Sequence, residues 1–119
     1  MAEVVVYGIP NCDTVKRART WLQAQGVAYR FHDFRKQGLD PMQLQAWIAA
    51  VGWGRVLNRQ GSTWRRLDDA ERAQVQDAAS AASLMLRHTS LVKRPLVCWE
   101  DGSVSVGFDA QVWLTRQFC

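Results

Sequence analysis

Cys12 lies in the stretch Gly8-Ile9-Pro10-Asn11-Cys12-Asp13-Thr14, where an apolar run stops and a helical period begins. The nucleophile of a cysteine is its thiolate. The first turn of a helix offers unpaired N–H groups and a partial positive charge, and both favour the ionised sulfur. Lys16 and Arg17, one turn along, add positive field, and Asp13 opposes it. Asn11 and Thr14 are suited to supply capping hydrogen bonds or donors to a bound anion. Polar neighbours on both sides give Cys12 the setting of a reactive thiol rather than a small core residue. Cys98 is the reverse case: inside Leu96-Val97-Cys98-Trp99 it reads as packing. Cys119 is the last residue and reads as frayed.

Three kinds of element must position this thiol. Val4-Val5-Val6-Tyr7 is a β-branched apolar run closed by Gly8 and Pro10, which predicts a buried strand. Val15, Ala18, Leu22 and Gln25 then share one helical face with Trp21 beside them, and Gly26 supplies the stop. Tyr29 to Asp33 alternates as a second strand, so the first third predicts a βαβ unit with parallel strands. The middle is helical. Asp40 caps Pro41 and the stripe Leu44, Trp47, Ile48 and Val51, with Gly52 as its close, and Gly61-Ser62 marks a turn. Asp69 to His88 reads as helix with a break near Asp77. Leu96 to Trp99 and Ser103 to Gly107 predict a hairpin around Asp101-Gly102, and Asp109 caps a last helix carrying Val112, Trp113, Leu114 and Phe118. The order β-α-β, helices, β-β-α predicts an α/β fold with a four-stranded mixed sheet. The helical stretch, about residues 40–90, reads as an insertion within a single domain spanning 1–119.

Arg94-Pro95 precedes the third predicted strand. A proline there donates nothing to the ladder, and its peptide bond is a candidate for the cis form. The formal net charge is +4, with 12 arginines against 3 lysines, and the planar guanidinium fork suits carboxylates and oxyanions. The basic residues are scattered, which argues against a nucleic-acid arm. Three widely spaced cysteines do not make a disulfide framework, and with only His32 and His88 in the chain no metal site is expected. No apolar run approaches the roughly 18 residues of a membrane span. Met1-Ala2-Glu3 starts no signal peptide, so a cytoplasmic, reducing setting and a monomer are the expectation.

The segments "YGIPNCDTVKRARTWL", "YRFHDFRKQGLD", "LNRQGSTWRRLD" and "KRPLVCWEDGSVSVGFD", in this order, resemble the arsenate reductase-like (ArsC/Spx/YffB) family, and most closely its YffB branch. The resemblance implies a thioredoxin-like fold with a helical insertion, Cys12 as nucleophile, Arg94 as an anion-binding residue beside the cysteine loop, and a cis Pro95. Glutathione-dependent arsenate reductases hold arsenate with three arginines. One carries over, Arg94. The others fall on Phe108 and on Asn58, with Arg59 next to Asn58 as a substitute. Losing two charge-assisted contacts makes arsenate binding weak. Spx carries a Cys-x-x-Cys switch in this loop, whereas the fourth position here is Val15. A single-cysteine mechanism needs an external thiol, and both the family and the arginine content point to glutathione. The expectation is a glutathione-dependent thiol/disulfide oxidoreductase acting on an oxidised thiol or small oxyanion. It uses no tightly bound cofactor and takes glutathione as co-substrate. Arg94, Pro95, Asn11, Thr14 and Arg59 line its binding site. Two alternatives stay open. One is arsenate reduction with Arg59 completing the clamp. The other is an Spx-like protein-binding regulator, with exposed residues among Trp47, Trp53, Trp64, Trp99 and Trp113 joining Arg65-Arg66 as its surface.

Overall fold

Val4, Val5, Val6 and Tyr7 are all buried and, with Gly8, form strand β1 (Val4–Gly8). The structure is a computed structural model and describes residues 3–116. After β1 come α1 (Asp13–Ala24), β2 (Tyr29–Asp33), α2 (Phe34–Gln37), α3 (Pro41–Val51), α4 (Trp53–Val56), α5 (Ser62–Arg66), α6 (Asp69–Ala73), α7 (Ala78–Arg87), a 3-10 turn (Thr89–Leu91), β3 (Leu96–Cys98), β4 (Val104–Val106) and α8 (Ala110–Leu114). The expectations for Phe118 and Cys119 fall outside the described residues. The chain forms two compact units. One runs up to Gln37 and resumes at Arg94; the other is Gly38–Lys93.

The first unit holds a four-stranded sheet in the order β2-β1-β3-β4. β1 and β2 are parallel, from Val4↔Tyr29 to Gly8↔Asp33, as a βαβ unit requires. β1 pairs with β3 antiparallel, from Val5↔Cys98 to Tyr7↔Leu96, and β4 continues the sheet antiparallel to β3. Alternate residues of β1, Val4 and Val6, meet Ala18 and Leu22 of α1, Val97, Trp99 and Trp113 in one apolar cluster. Gln25, expected on the buried face of α1, is instead its exposed C-cap. Gly26 follows at φ 72°, and the N–H groups of Gly26 and Val27 donate to the carbonyls of Gln23 and Leu22, a Schellman closure. The hairpin strands are one residue shorter at the turn than expected. Trp99 already belongs to the turn, where its carbonyl accepts from the Gly102 N–H at 3.0 Å.

The second unit is helical. Asp40 caps α3 by accepting from the Met42 N–H, and Gly52 closes it at φ 89°. The break near Asp77 is real. Asp77 and Ser80 form a reciprocal capping box at the start of α7. The short α2, α4 and α5 were not expected, because four or five residues are too few to show a period. Of the tryptophans expected for a partner surface, Trp47, Trp99 and Trp113 are 2% exposed and so unavailable; Trp53 and Trp64 are half-buried. Among the described residues no helix is long and apolar enough to cross a membrane.

Arg72 holds the loop after α5. Its Nη1 donates to the carbonyls of Trp64 and Arg65, both at 3.3 Å, and of Leu67, and its Nη2 pairs with Asp69. These carbonyls lie at the end of α5, where helical donors run out and the Trp64 carbonyl is met by the Leu67 N–H at 3.2 Å. Arg72→Ala is therefore expected to cost about 1–2 kcal/mol, read as a lower urea midpoint at unchanged slope. Arg72→Lys restores little of it, because one ammonium cannot meet both the carbonyls held by Nη1 and the Asp69 carboxylate held by Nη2.

Two carboxylates also tie stability to pH. Ser80, through its backbone N–H first and its hydroxyl second, lowers the pKa of Asp77. Ser103, through its hydroxyl first, lowers that of Asp101 in the β3–β4 turn. Because the folded values are depressed, these contributions are present above the unfolded aspartate value of about 3.9 and vanish as pH falls through the lower folded values. Carboxyl NMR titration is expected to find both midpoints below those of ordinary aspartates. Ser80→Ala and Ser103→Ala should move them back up.

Candidate active site

Gly8 sets the approach of helix to strand. A Cβ there would lie 2.8 Å from the Cγ2 of Val15, so only glycine lets the first turn of α1 sit this close to the end of β1. The connection Ile9-Pro10-Asn11 then delivers Cys12 to the N-cap of α1 in extended geometry, φ −107° and ψ 125°. The cap position thus falls on the cysteine itself and not on Asn11, which lies outside the helix and exposed. The Cys12 carbonyl accepts the Lys16 N–H at 2.9 Å, while its side chain makes no capping bond. Cys12 is a free, half-exposed thiol, Thr14 is half-exposed in the first turn, and Lys16 and Arg17 are exposed.

The Arg94-Pro95 bond is cis. Tyr7 pairs with Leu96, so one step further the register sets Pro95 across from Gly8. Asp33 pairs with Gly8 on its other side. The cysteine loop and the Arg94-Pro95 turn therefore leave the same end of the central strands. Pro95 is buried, Arg94 is half-buried, and the Pro95 carbonyl accepts the Gly107 N–H at 2.8 Å, tying the turn to the end of β4. Phe108 follows. Its ring lies 4.8 Å from Trp113 and 6.5 Å from Trp21, as part of the apolar layer over the sheet. It fills space and offers nothing to an oxyanion.

Cys98 stands at the far end of the sheet. It pairs with Val5, three residues before Gly8, and a strand advances about 3.4 Å per residue. About 10 Å of strand therefore separates it from the end that carries Cys12. A disulfide needs Cα atoms within about 7 Å.

Arg59 belongs to the helical unit, in the connection between α4 and α5. It is exposed, with its guanidinium 5.6 Å from the centre of the Trp53 ring. Two features escaped the sequence reading. Asp33 is the buried acidic residue at the end of β2. Its Oδ1 accepts the Arg35 N–H, and its own N–H donates to Gln37 Oε1. It looked like an ordinary strand end because the helix it caps has only four residues. Lys93, next to Arg94, lines a cleft with Arg59. Among the described residues no group of three or more His, Cys, Asp or Glu side chains is placed to hold a metal.

Residues 7–115 match the ArsC family. The chain belongs to the ArsC family. Its sheet and the helices against it are accordingly thioredoxin-like. Among solved structures of ArsC-like proteins, one described as YffB shares 46% identity at a TM-score of 0.88, over 93% of this chain and 96% of that one. An arsenate reductase (ArsC) related protein from Brucella melitensis shares 47% identity at a TM-score of 0.75, over 96% and 94%. A relative in Haemophilus influenzae, an uncharacterized protein, is 37% identical over 89% of this chain and 91% of its own length.

Proposed function

We propose that this ArsC-family protein is a thiol-based reductase that draws its electrons from glutathione through Cys12. Membership of the family supports a thiol reductase in general. The observation that carries the glutathione reading is the place of Cys98. Its register at the opposite end of β1 sets Cys98 too far along the strand to pair with Cys12, which supports a resolving thiol from outside. In the first step the Cys12 thiolate attacks the glutathione sulfur of a mixed disulfide, RS–SG. The Cys12–SG bond forms, the RS–SG bond breaks, and RS⁻ leaves and takes a proton. In the second, the thiolate of glutathione attacks the same sulfur, releasing oxidised glutathione and the Cys12 thiolate. One glutathione thiol enters per cycle, and the second sulfur of the oxidised glutathione comes from the mixed disulfide, so that RS–SG and GSH give RSH and oxidised glutathione. Arg94 binds a carboxylate of the tripeptide at the turn that shares a strand end with Cys12, Pro95 shapes that turn, and Asn11 and Thr14 orient the bound group. Phe108, packed among tryptophans where the resemblance expects an arginine, weighs against arsenate as the substrate.

The test is mass spectrometry with peptide mapping after treatment with oxidised glutathione. One glutathionyl group is expected, on the peptide that carries Cys12, and removable by dithiothreitol. No adduct, or an adduct confined to Cys98, overturns the reading.

A further inference from the structure

Between Glu3 and Asp40 the chain carries the cations Lys16, Arg17, Arg19, Arg30, Arg35 and Lys36 against two carboxylates, Asp13 and Asp33. Arg30 and Arg19 are engaged. Arg30 pairs with Glu3 at 2.8 Å, and Arg19 donates to the Tyr29 hydroxyl at 3.0 Å with its guanidinium 4.1 Å from the centre of the Phe31 ring. Lys16, Arg17, Arg35 and Lys36 are exposed, and among the described residues none of them enters an ion pair. Asp33 is 8% exposed and accepts the Arg35 N–H, so it presents little charge outward. Asp13 is exposed and is the carboxylate that opposes the four.

The strand ladder gathers these cations at one end of the sheet. Gly8 pairs with Asp33, so β1 and β2 end side by side, about 4.8 Å apart. The chain leaving β1 turns into α1, with Cys12 at its N-cap and Lys16 and Arg17 in its second turn. The chain leaving β2 turns into α2, which carries Arg35 and Lys36. Asp109 lies beyond β4, at the far edge of the sheet, and is spent capping α8. The half-exposed thiol therefore opens onto a cationic rim.

We propose that this rim docks an acidic polypeptide, and that the mixed disulfide reduced at Cys12 sits on a cysteine flanked by Asp or Glu. The inference rests on the thiol chemistry proposed above and names its substrate class. Two helices that each present a pair of cations match a broad acidic surface, whereas a tripeptide with two carboxylates engages only part of the set. Nucleic acids and lipid headgroups bring anions without a sulfur for Cys12; a polypeptide brings both. The step is the one written above with RS⁻ as the polypeptide's cysteine thiolate. The Cys12–SG bond forms, the polypeptide S–SG bond breaks, and the leaving thiolate takes a proton from water. Acidic neighbours make that thiolate a poor leaving group, and the field of the rim offsets this.

The test compares two glutathionylated peptides that differ only in the residues around the cysteine, Glu in one and Gln in the other. Each rate with the wild-type protein is divided by that of the uncatalysed exchange of the same peptide with glutathione. The acidic peptide is expected to show a kcat/KM about tenfold higher at low salt, falling to parity near about 0.5 M. Arg35→Gln and Lys36→Gln should each lower the acidic rate about two- to threefold and leave the neutral one unchanged, and Arg35→Glu combined with Lys36→Glu should reverse the preference. Arg55→Gln, an exposed charge of the other unit, should change neither. Parity of the peptides at low salt, or a preference that survives the charge reversal, overturns the proposal. A second arm uses the Cys12→Ser protein and the acidic peptide with its cysteine S-methylated, which cannot exchange. Saturable amide shifts at Lys16, Arg17, Arg35 and Lys36 are expected. Absence of shifts, or tighter binding of a single-stranded oligonucleotide or of phosphatidylglycerol vesicles than of the peptide, overturns the docking of a polypeptide. Equal turnover of both peptides sinks this inference alone. Peptide binding at the rim without turnover of either peptide sinks the catalytic reading and leaves the docking surface standing.

Discussion

On the proposed mechanism Cys12→Ser is expected to lose glutathione-dependent reduction of a small mixed disulfide by at least about a thousandfold, to the level of the uncatalysed exchange. The size of the loss follows from the role. In the proposed cycle the sulfur forms and breaks both bonds, and a hydroxyl neither ionises near neutral pH nor makes a disulfide. Cys98→Ser is the necessary companion. Its sulfur is set opposite Val5, at the end of the sheet away from the cysteine loop, so this variant should turn over at close to the wild-type rate. Coupled assay of oxidised glutathione production measures both. A Cys12→Ser protein that retains activity, or a Cys98→Ser protein that loses it, reverses the assignment.

Gly8→Ala is expected to destabilise the first unit by about 1–3 kcal/mol, because the new methyl must displace a fully buried side chain or push helix from strand. The neighbour in question is Val15, 0% exposed, with its Cγ2 2.8 Å from the site of the new atom. A fall in melting temperature on the order of 5–10 °C is the readout. The cause can be separated from a general intolerance of substitution. Val15→Ala removes the offending methyl groups and costs stability itself by leaving a cavity. Combined, the two changes should cost less than their sum, since the alanine at position 8 fills part of the space vacated at position 15. Strict additivity would show that the strand-helix approach is not what Gly8 is there for. Because the same contact fixes where α1 begins, Gly8→Ala should also slow glutathione adduct formation at Cys12.

The sheet was legible in the sequence because its signals are short-range and repeated. Four apolar residues before Gly8, an amphipathic stretch after it and alternation from Tyr29 each reflect burial on one face or two, and the structure places these elements within a residue or two of expectation. The caps at Asp40 and Asp109 were readable for the same reason, a side chain bonding its own local backbone, while at Asp77 the break was readable and the capping box was not. What escaped is set by partners far away in the chain. The bridge of Leu57 to Val92 joins residues 35 positions apart, and with the Asn58–Leu91 and Lys93–Val56 hydrogen bonds it brings Lys93 to the cleft that Arg59 lines. The register of Cys98 against Val5 likewise could not be read from Leu96-Val97-Cys98-Trp99, although it decides whether that thiol can reach Cys12. For the candidate site, Cys12 at a helix start and Arg94-Pro95 before a strand were visible as types in a setting. Asn11 as cap was not correct, because the turn through Pro10 advances the helix start by one residue and hands the cap to the sulfur-bearing position.

Gly8 has Asp33 on one side and, by continuation of the ladder, Pro95 on the other. The chain therefore departs for its helical excursion and returns from it two strand spacings apart, about 10 Å, at one rim of the sheet. Four or five residues reach that far. Rejoining the chain between Asp33 and Arg94 through so short a joint would leave every strand of the sheet, the cysteine loop and the Arg94-Pro95 turn covalently continuous, which makes the excursion a removable cassette and the remainder a natural starting point for a minimal redox scaffold.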